Sequence, residues 1–188
     1  MTNEPTRTAG IEIADDFCSR CGVCVAVCPF EAISKDEEQN KIILDVEKCR
    51  VCGLCVSACP MSAIDLVYYN VESLTKQVQD EMKQKGANTL VLSCRGSNAV
   101  TIDIKENFKD ENVENFVSLR LPCVGRVPPD FYMNNLAAGT EKILVLQCEE
   151  DFCRFKKGSK IGLNRFELLK ETVEVLGYNP DNLIVKKN

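Results

Sequence analysis

Residues 18–33 read CSRCGVCVAVCPFEAI and residues 49–64 read CRVCGLCVSACPMSAI, one pattern repeated at an offset of 31 positions. Each run sets three cysteines two residues apart, a fourth three residues later, and a proline directly behind it. Thiolates are soft ligands for metals, and eight of them at a repeated spacing point to metal chemistry. Four further cysteines, Cys94, Cys123, Cys148 and Cys153, are scattered through the rest of the chain. With twelve cysteines and no histidine, mixed Cys/His zinc sites, Rieske centres and Cys-His catalytic pairs are excluded.

The polar start MTNEPTRTAG lacks the apolar core of a signal peptide, and no stretch approaches the roughly 18 to 20 apolar residues that span a bilayer. A cytoplasmic location without a membrane span is expected. In that reducing compartment cysteines serve as ligands and not as a disulfide framework. The run C-x-x-C-x-x-C-x-x-x-C-P is the spacing that holds a cubane [4Fe-4S] cluster, its fourth cysteine ligating the other cluster of a pair. One cluster would take Cys18, Cys21, Cys24 and Cys59, and the other Cys49, Cys52, Cys55 and Cys28. Gly22 and Gly53 permit turns closed to other residues, and Pro29 and Pro60 fix φ behind the fourth ligand. Ile33 and Ile64 fall where an apolar side chain covers each cluster. Over roughly residues 10–70 the unit resembles two-cluster bacterial ferredoxins. Two structural zinc sites are the competing reading, but zinc pairs are normally separated by a longer spacer.

The elements behind this unit follow from periodicity. VESLTKQVQDEMKQKG places Val71, Leu74, Val78 and Met82 at helical spacing, with Gly86 as the stop. TLVLSC, FVSLRLPC, KILVLQC and NLIVKK are short apolar runs rich in β-formers. Between them, PPDFYMNNLAAG carries Phe131, Leu136 and Ala137 after a double proline. The long KGSKIGLNRFELLKETVEVLG sets Ile161, Phe166, Leu169, Val173 and Leu176 along one helical face. The expected fold is an α+β ferredoxin-type domain over residues 1–72, then a small α/β domain with a parallel sheet over 73–188. Cys94, Cys123 and Cys148 end three of the strands, and Cys153 follows in the next loop, so all four meet at the carboxyl rim. A lone cysteine there is usually a small buried hydrophobe. Four together argue for a shared metal, with zinc, a two-iron and a four-iron cluster all compatible.

The segments LPCVGRV and LVLQCEEDFCRFKKGSKIGLNRFELLKETVEVLG are similar to motifs of the delta subunit of methyl-viologen-reducing hydrogenase, over roughly residues 88–187. That family feeds electrons to heterodisulfide reductase and carries a [2Fe-2S] cluster. The resemblance implies Cys94, Cys123, Cys148 and Cys153 as its ligands, with Arg126 beside it as a fixed cation favouring the reduced state. LSCRGSN offers one cysteine where many members have two, and Glu149 follows Cys148 where histidine is common. The function implied is an iron-sulfur electron-transfer subunit with two [4Fe-4S] clusters and one [2Fe-2S] cluster. It would link a hydrogenase or dehydrogenase subunit to a flavin-containing heterodisulfide-reductase-A-like subunit in an electron-bifurcating complex.

Charge bears on the partners. Residues 1–70 hold six Lys/Arg against eleven Asp/Glu, whereas 71–188 hold seventeen of each. An acidic first unit repels nucleic acid, and no nucleic-acid partner is expected. There is no phosphate loop, dinucleotide fingerprint or proton-transfer base. Arg154, Lys156, Lys157 and Lys160 are expected to solvate a helix start. The other function classes are a ferredoxin fused to a zinc-binding regulatory domain and a thiol oxidoreductase using Cys148 and Cys153, whose C-x4-C spacing lacks an activating dithiol loop.

Overall fold

The computed structural model describes residues 10–68, 70–96 and 101–187. The ferredoxin-type part is built twice. Strand β1 (Ile11–Ile13) pairs antiparallel with β4 (Ile64–Leu66), and β2 (Ile33–Asp36) pairs antiparallel with β3 (Lys41–Leu44). The one-turn helices α1 (Val23–Val27) and α2 (Leu54–Ala58) lie between, each opened by a left-handed glycine: Gly22 at φ 77° and Gly53 at φ 80°. Both helices end on the fourth cysteine of a run, Cys28 at φ −72° and Cys59 at φ −73°. The positive φ recurs at the 31-residue offset in Arg20 and Val51 and again in Glu31 and Ser62. A β-branched valine pays a steric cost in that region, so the backbone path of the loop outweighs the local preference of Val51. Ile33 and Ile64 are both buried, in one cluster with Ile11, Val56 and Leu66 against which several cysteines pack.

Helix α3 (Val71–Lys85) leads into the second part, its Asn70 side chain accepting from the Ser73 amide at 2.8 Å and Gly86 closing it at φ 59°. Four strands follow: β5 (Thr89–Cys94), β6 (Phe116–Leu121), β7 (Lys142–Gln147) and β8 (Leu183–Lys187). They form one parallel sheet in the order β6-β5-β7-β8. A parallel sheet must be covered on both faces, and the burial agrees. Leu90, Leu92, Ile143 and Val145 meet α3, α5 (Pro129–Ala137) and α6 (Gly158–Val175) through Val78, Phe131, Phe166 and Val173. Val91, Leu144 and Leu146 turn the other way onto Ile104 and Phe108, at and beyond α4 (Thr101–Asn107).

Two sequence expectations need correction. Leu176 is 58% exposed, because α6 ends at Val175 and the chain turns away before Leu176 reaches the apolar face. Ala137 is exposed at the end of α5, while Tyr132 and Asn135 occupy the buried side with Phe131 and Leu136. Among the described residues no helix is long and apolar enough to cross a membrane.

Candidate metal centre

The strand order dictates where the scattered cysteines go. From β5 the chain crosses one way to β6 and then back to β7 on the other side, so the connections part at the carboxyl ends of β5 and β7 and leave a crevice there. Cys94 is the last residue of β5, Cys148 follows the last residue of β7, and Cys123 lies two beyond β6. All three are buried; Cys153, in the loop before α6, is half-buried. Cys94 and Cys148 lie in one buried cluster of side chains, and Cys94 is close enough to both Cys123 and Cys148 for each to shift its titration. Gly158 closes the set. A Cβ there would lie 2.9 Å from the Cys123 sulfur and 3.4 Å from that of Cys153. Gly96 fits as closely against Cys148, with 2.8 Å between its Cβ position and Sγ.

Backbone amides converge on the sulfurs. Val124 N–H donates to Cys94 Sγ at 3.3 Å and Ser159 N–H to Cys153 Sγ at 3.3 Å, while the Ser159 hydroxyl donates to the Cys148 carbonyl. In the repeated runs Ala32 N–H donates to Cys28 Sγ at 3.4 Å, Ala63 N–H to Cys59 Sγ at 3.3 Å and Val51 N–H to Cys49 Sγ at 3.4 Å. Sulfurs surrounded by amide donors are suited to carry thiolate charge, so this donor set fits iron-sulfur ligation.

The electrostatics show which sulfurs of the two runs are neighbours. Burial first, then the neighbouring sulfurs of Cys52, Cys49 and Cys28, pushes the Cys55 thiol up to about 12. Burial likewise raises Cys52, with Cys28 the first of its sulfur neighbours. Cys28 thus belongs spatially with the second run. Cys24 is raised by burial and by Cys18 and Cys21 of its own run, while Cys59 packs on a buried cluster that touches cysteines of both runs. The neighbouring Cys123 thiol, with burial, pushes Cys94 up to about 11, and the Cys94 thiol, with burial, raises Cys148. Among the described residues no three Cys, Asp or Glu side chains close on a single-ion position.

The two cysteine regions adjoin. Cys52, Leu54, Cys123 and Phe155 form one buried cluster, with Cys153 packed against it. Arg126, 5% exposed, fills the seam, its Cβ 2.7 Å and its Nε 3.0 Å from where a Gly53 side chain would begin. Burial pulls the Arg126 guanidinium below its ordinary value, while Cys123, Cys52, Cys55 and Asp65 oppose the shift, and its buried Nε finds no hydrogen-bond partner among the described residues.

Sequence reasoning missed the residues that fix this seam. Arg165, on α6, donates through Nη1 to the Gly125 carbonyl at 3.2 Å, to the Leu54 carbonyl at 3.4 Å and to the Ser57 hydroxyl. Ser57 Oγ in turn donates to the Gly125 carbonyl at 2.6 Å. The signal available was a lone arginine beside Phe166 on an apolar helix, and glycines within five residues of a cysteine. Lys156, expected in solvent, donates to the Pro29 carbonyl at 3.0 Å and lies 5.2 Å from the Phe30 ring centre.

Two family models match different parts of the chain. Residues 10–60 match a 4Fe-4S dicluster domain, so the first part is a ferredoxin-type unit for [4Fe-4S] clusters. The A subunit of the ferredoxin/F(420)H(2)-dependent CoB-CoM heterodisulfide reductase of Methanosarcina acetivorans is 31% identical over 176 residues, 93% of this chain and 22% of that protein. The A subunit of the ferredoxin:CoB-CoM heterodisulfide reductase of Methanosarcina mazei matches with the same identity and coverage. The chain therefore spans about a fifth of the length of these reductase proteins. The iron-sulfur D subunit of the F420-non-reducing hydrogenase of Archaeoglobus profundus is 27% identical over 96 residues, 51% of this chain and 70% of that protein. Residues 89–188, the sheet and all four rim cysteines among them, match the delta subunit of methyl-viologen-reducing hydrogenase, and the chain belongs to that family.

Proposed function

We propose that this chain is an iron-sulfur electron-transfer subunit with three cluster sites. Cys18, Cys21, Cys24 and Cys59 hold one [4Fe-4S] cluster; Cys49, Cys52, Cys55 and Cys28 hold a second; Cys94, Cys123, Cys148 and Cys153 hold a [2Fe-2S] cluster. The observation that carries this reading is the seam, where Cys123 and Cys52 share one buried cluster of side chains. Bound clusters supply reversible one-electron transfer. The chain's own residues set its conditions: amides stabilise thiolate charge, Arg126 places a buried cation between the two cysteine sets, and Arg165 with Ser57 holds their separation. We place the boundary between the two parts at residue 72, in the first turn of α3. Similarity to heterodisulfide reductase A subunits and to a hydrogenase D subunit supports a place in a complex of that kind; in our reading the chain joins a hydrogenase or dehydrogenase subunit to a heterodisulfide-reductase-A-like flavin subunit, and the complex splits electron pairs.

Metal analysis of protein purified without oxygen tests the reading. About ten irons per chain and no zinc are expected. About eight irons with one zinc would instead make the rim a structural zinc site on a ferredoxin.

A further inference from the structure

A cleft of about 610 Å³ opens on the surface above the seam, and arginine dominates its walls. Arg50 follows Cys49, Arg95 follows Cys94, Arg154 follows Cys153, and Arg126 lines the cleft from its buried position. None of the four makes an ion pair within 4.0 Å among the described residues. Asp65 is near enough for Arg126 to feel its charge without pairing with it, and the described residues that line the cleft include no carboxylate. In a chain of net charge −5, four unpaired guanidinium groups around one concavity call for an anion. Arg126 alone is accounted for as a counter-charge to Cys123 and Cys52. Arg50, Arg95 and Arg154 are exposed, where water already screens their charge, and that role does not explain their convergence.

The remaining wall supplies rings. Tyr68 is 72% exposed, while Phe30 and Phe155 meet edge to face with centres 6.3 Å apart. A guanidinium fork matches phosphate oxygens two at a time, and an exposed aromatic face offers stacking to a flat ligand. The volume lies within the usual range for a small-molecule site.

We propose that this cleft binds a ring-bearing phosphate, the chemistry common to flavin and adenine nucleotides. The claim goes beyond the electron-transfer reading and stands or falls separately from it, since binding is read without any electron moving. The test is calorimetric titration of the anaerobic holoprotein, full chain, with flavin mononucleotide, ADP and inorganic pyrophosphate. At least one nucleotide is expected to bind more tightly than pyrophosphate, with affinity falling as salt rises. Flavin mononucleotide alone or ADP alone would identify the ring that is accepted, and both binding would support the shared chemistry. The paired substitution Arg50→Gln and Arg154→Gln should weaken the nucleotide at least about tenfold. Tyr68→Ala should weaken the nucleotide and leave pyrophosphate unchanged. Iron content and the visible spectrum should be unaltered in these variants, because the substituted side chains are exposed. Pyrophosphate binding as tightly as both nucleotides would overturn the proposal. So would no binding of any probe up to about 1 mM, or nucleotide binding indifferent to the arginine substitutions.

Discussion

Replacing Gly158 with valine is expected to empty the rim site while both ferredoxin-type clusters stay in place. Gly158 is the first residue of α6, and its φ is not in the left-handed region, so the backbone accepts a side chain without strain. Space is what forbids one. A Cβ would stand 2.9 Å from Cys123 Sγ, 3.4 Å from Cys153 Sγ and 3.4 Å from Phe155 Cβ. The thiols can swing aside, but a sulfur that has swung no longer points at the cluster position proposed for it with Cys94 and Cys148. Valine adds two γ-carbons with a stiff χ1 to the same gap, so little relaxation remains. Iron should fall from about ten to about eight per chain, with the [2Fe-2S] signal absent from the spectrum of the reduced protein. Full iron retention in this variant would mean that Cys123 and Cys153 do not share a ligand.

Cys28→Ala should destroy the cluster of the other run. Cys28 lies in the first run by sequence, yet the sulfurs that feel it are those of Cys52 and Cys55. Helix α1 ends on it in extended backbone. The variant should lose about four irons, and with them any magnetic coupling between the rim centre and its neighbour, because the cluster beside Cys123 is the one removed. Cys59→Ala should lose about as many and keep the coupling. A reversed pattern, with coupling kept in Cys28→Ala and lost in Cys59→Ala, would show that each run serves its own cluster.

Local chemistry made most of this fold legible. Gly22 and Gly53 announce left-handed turns because no side chain competes there, and Gly86 marks the end of α3 for the same reason. TLVLSC and KILVLQC read as buried strands because residues enclosed on both faces need no alternation. The rim position of Cys94, Cys123 and Cys148 then followed from strand direction alone. Contacts between distant segments were not legible. Helix α4 has seven residues, too few for a periodicity to stand out. Arg165 and Ser57 are ordinary in their own helices and gain their role only when α2 meets the turn at Gly125. Lys156 looks like a solvated charge until Phe30, far away in sequence, is folded against it. Leu176 fits a helical stripe that the chain leaves one residue too early.

The most direct measurement is the electron paramagnetic resonance spectrum of the anaerobic wild-type protein reduced with dithionite, integrated and examined for spin coupling. Three paramagnetic centres are predicted, about three spins per chain, with the rim centre coupled to the cluster of the second run. A spectrum that integrates to two spins, or shows a third centre with no coupling to either of the others, would contradict it.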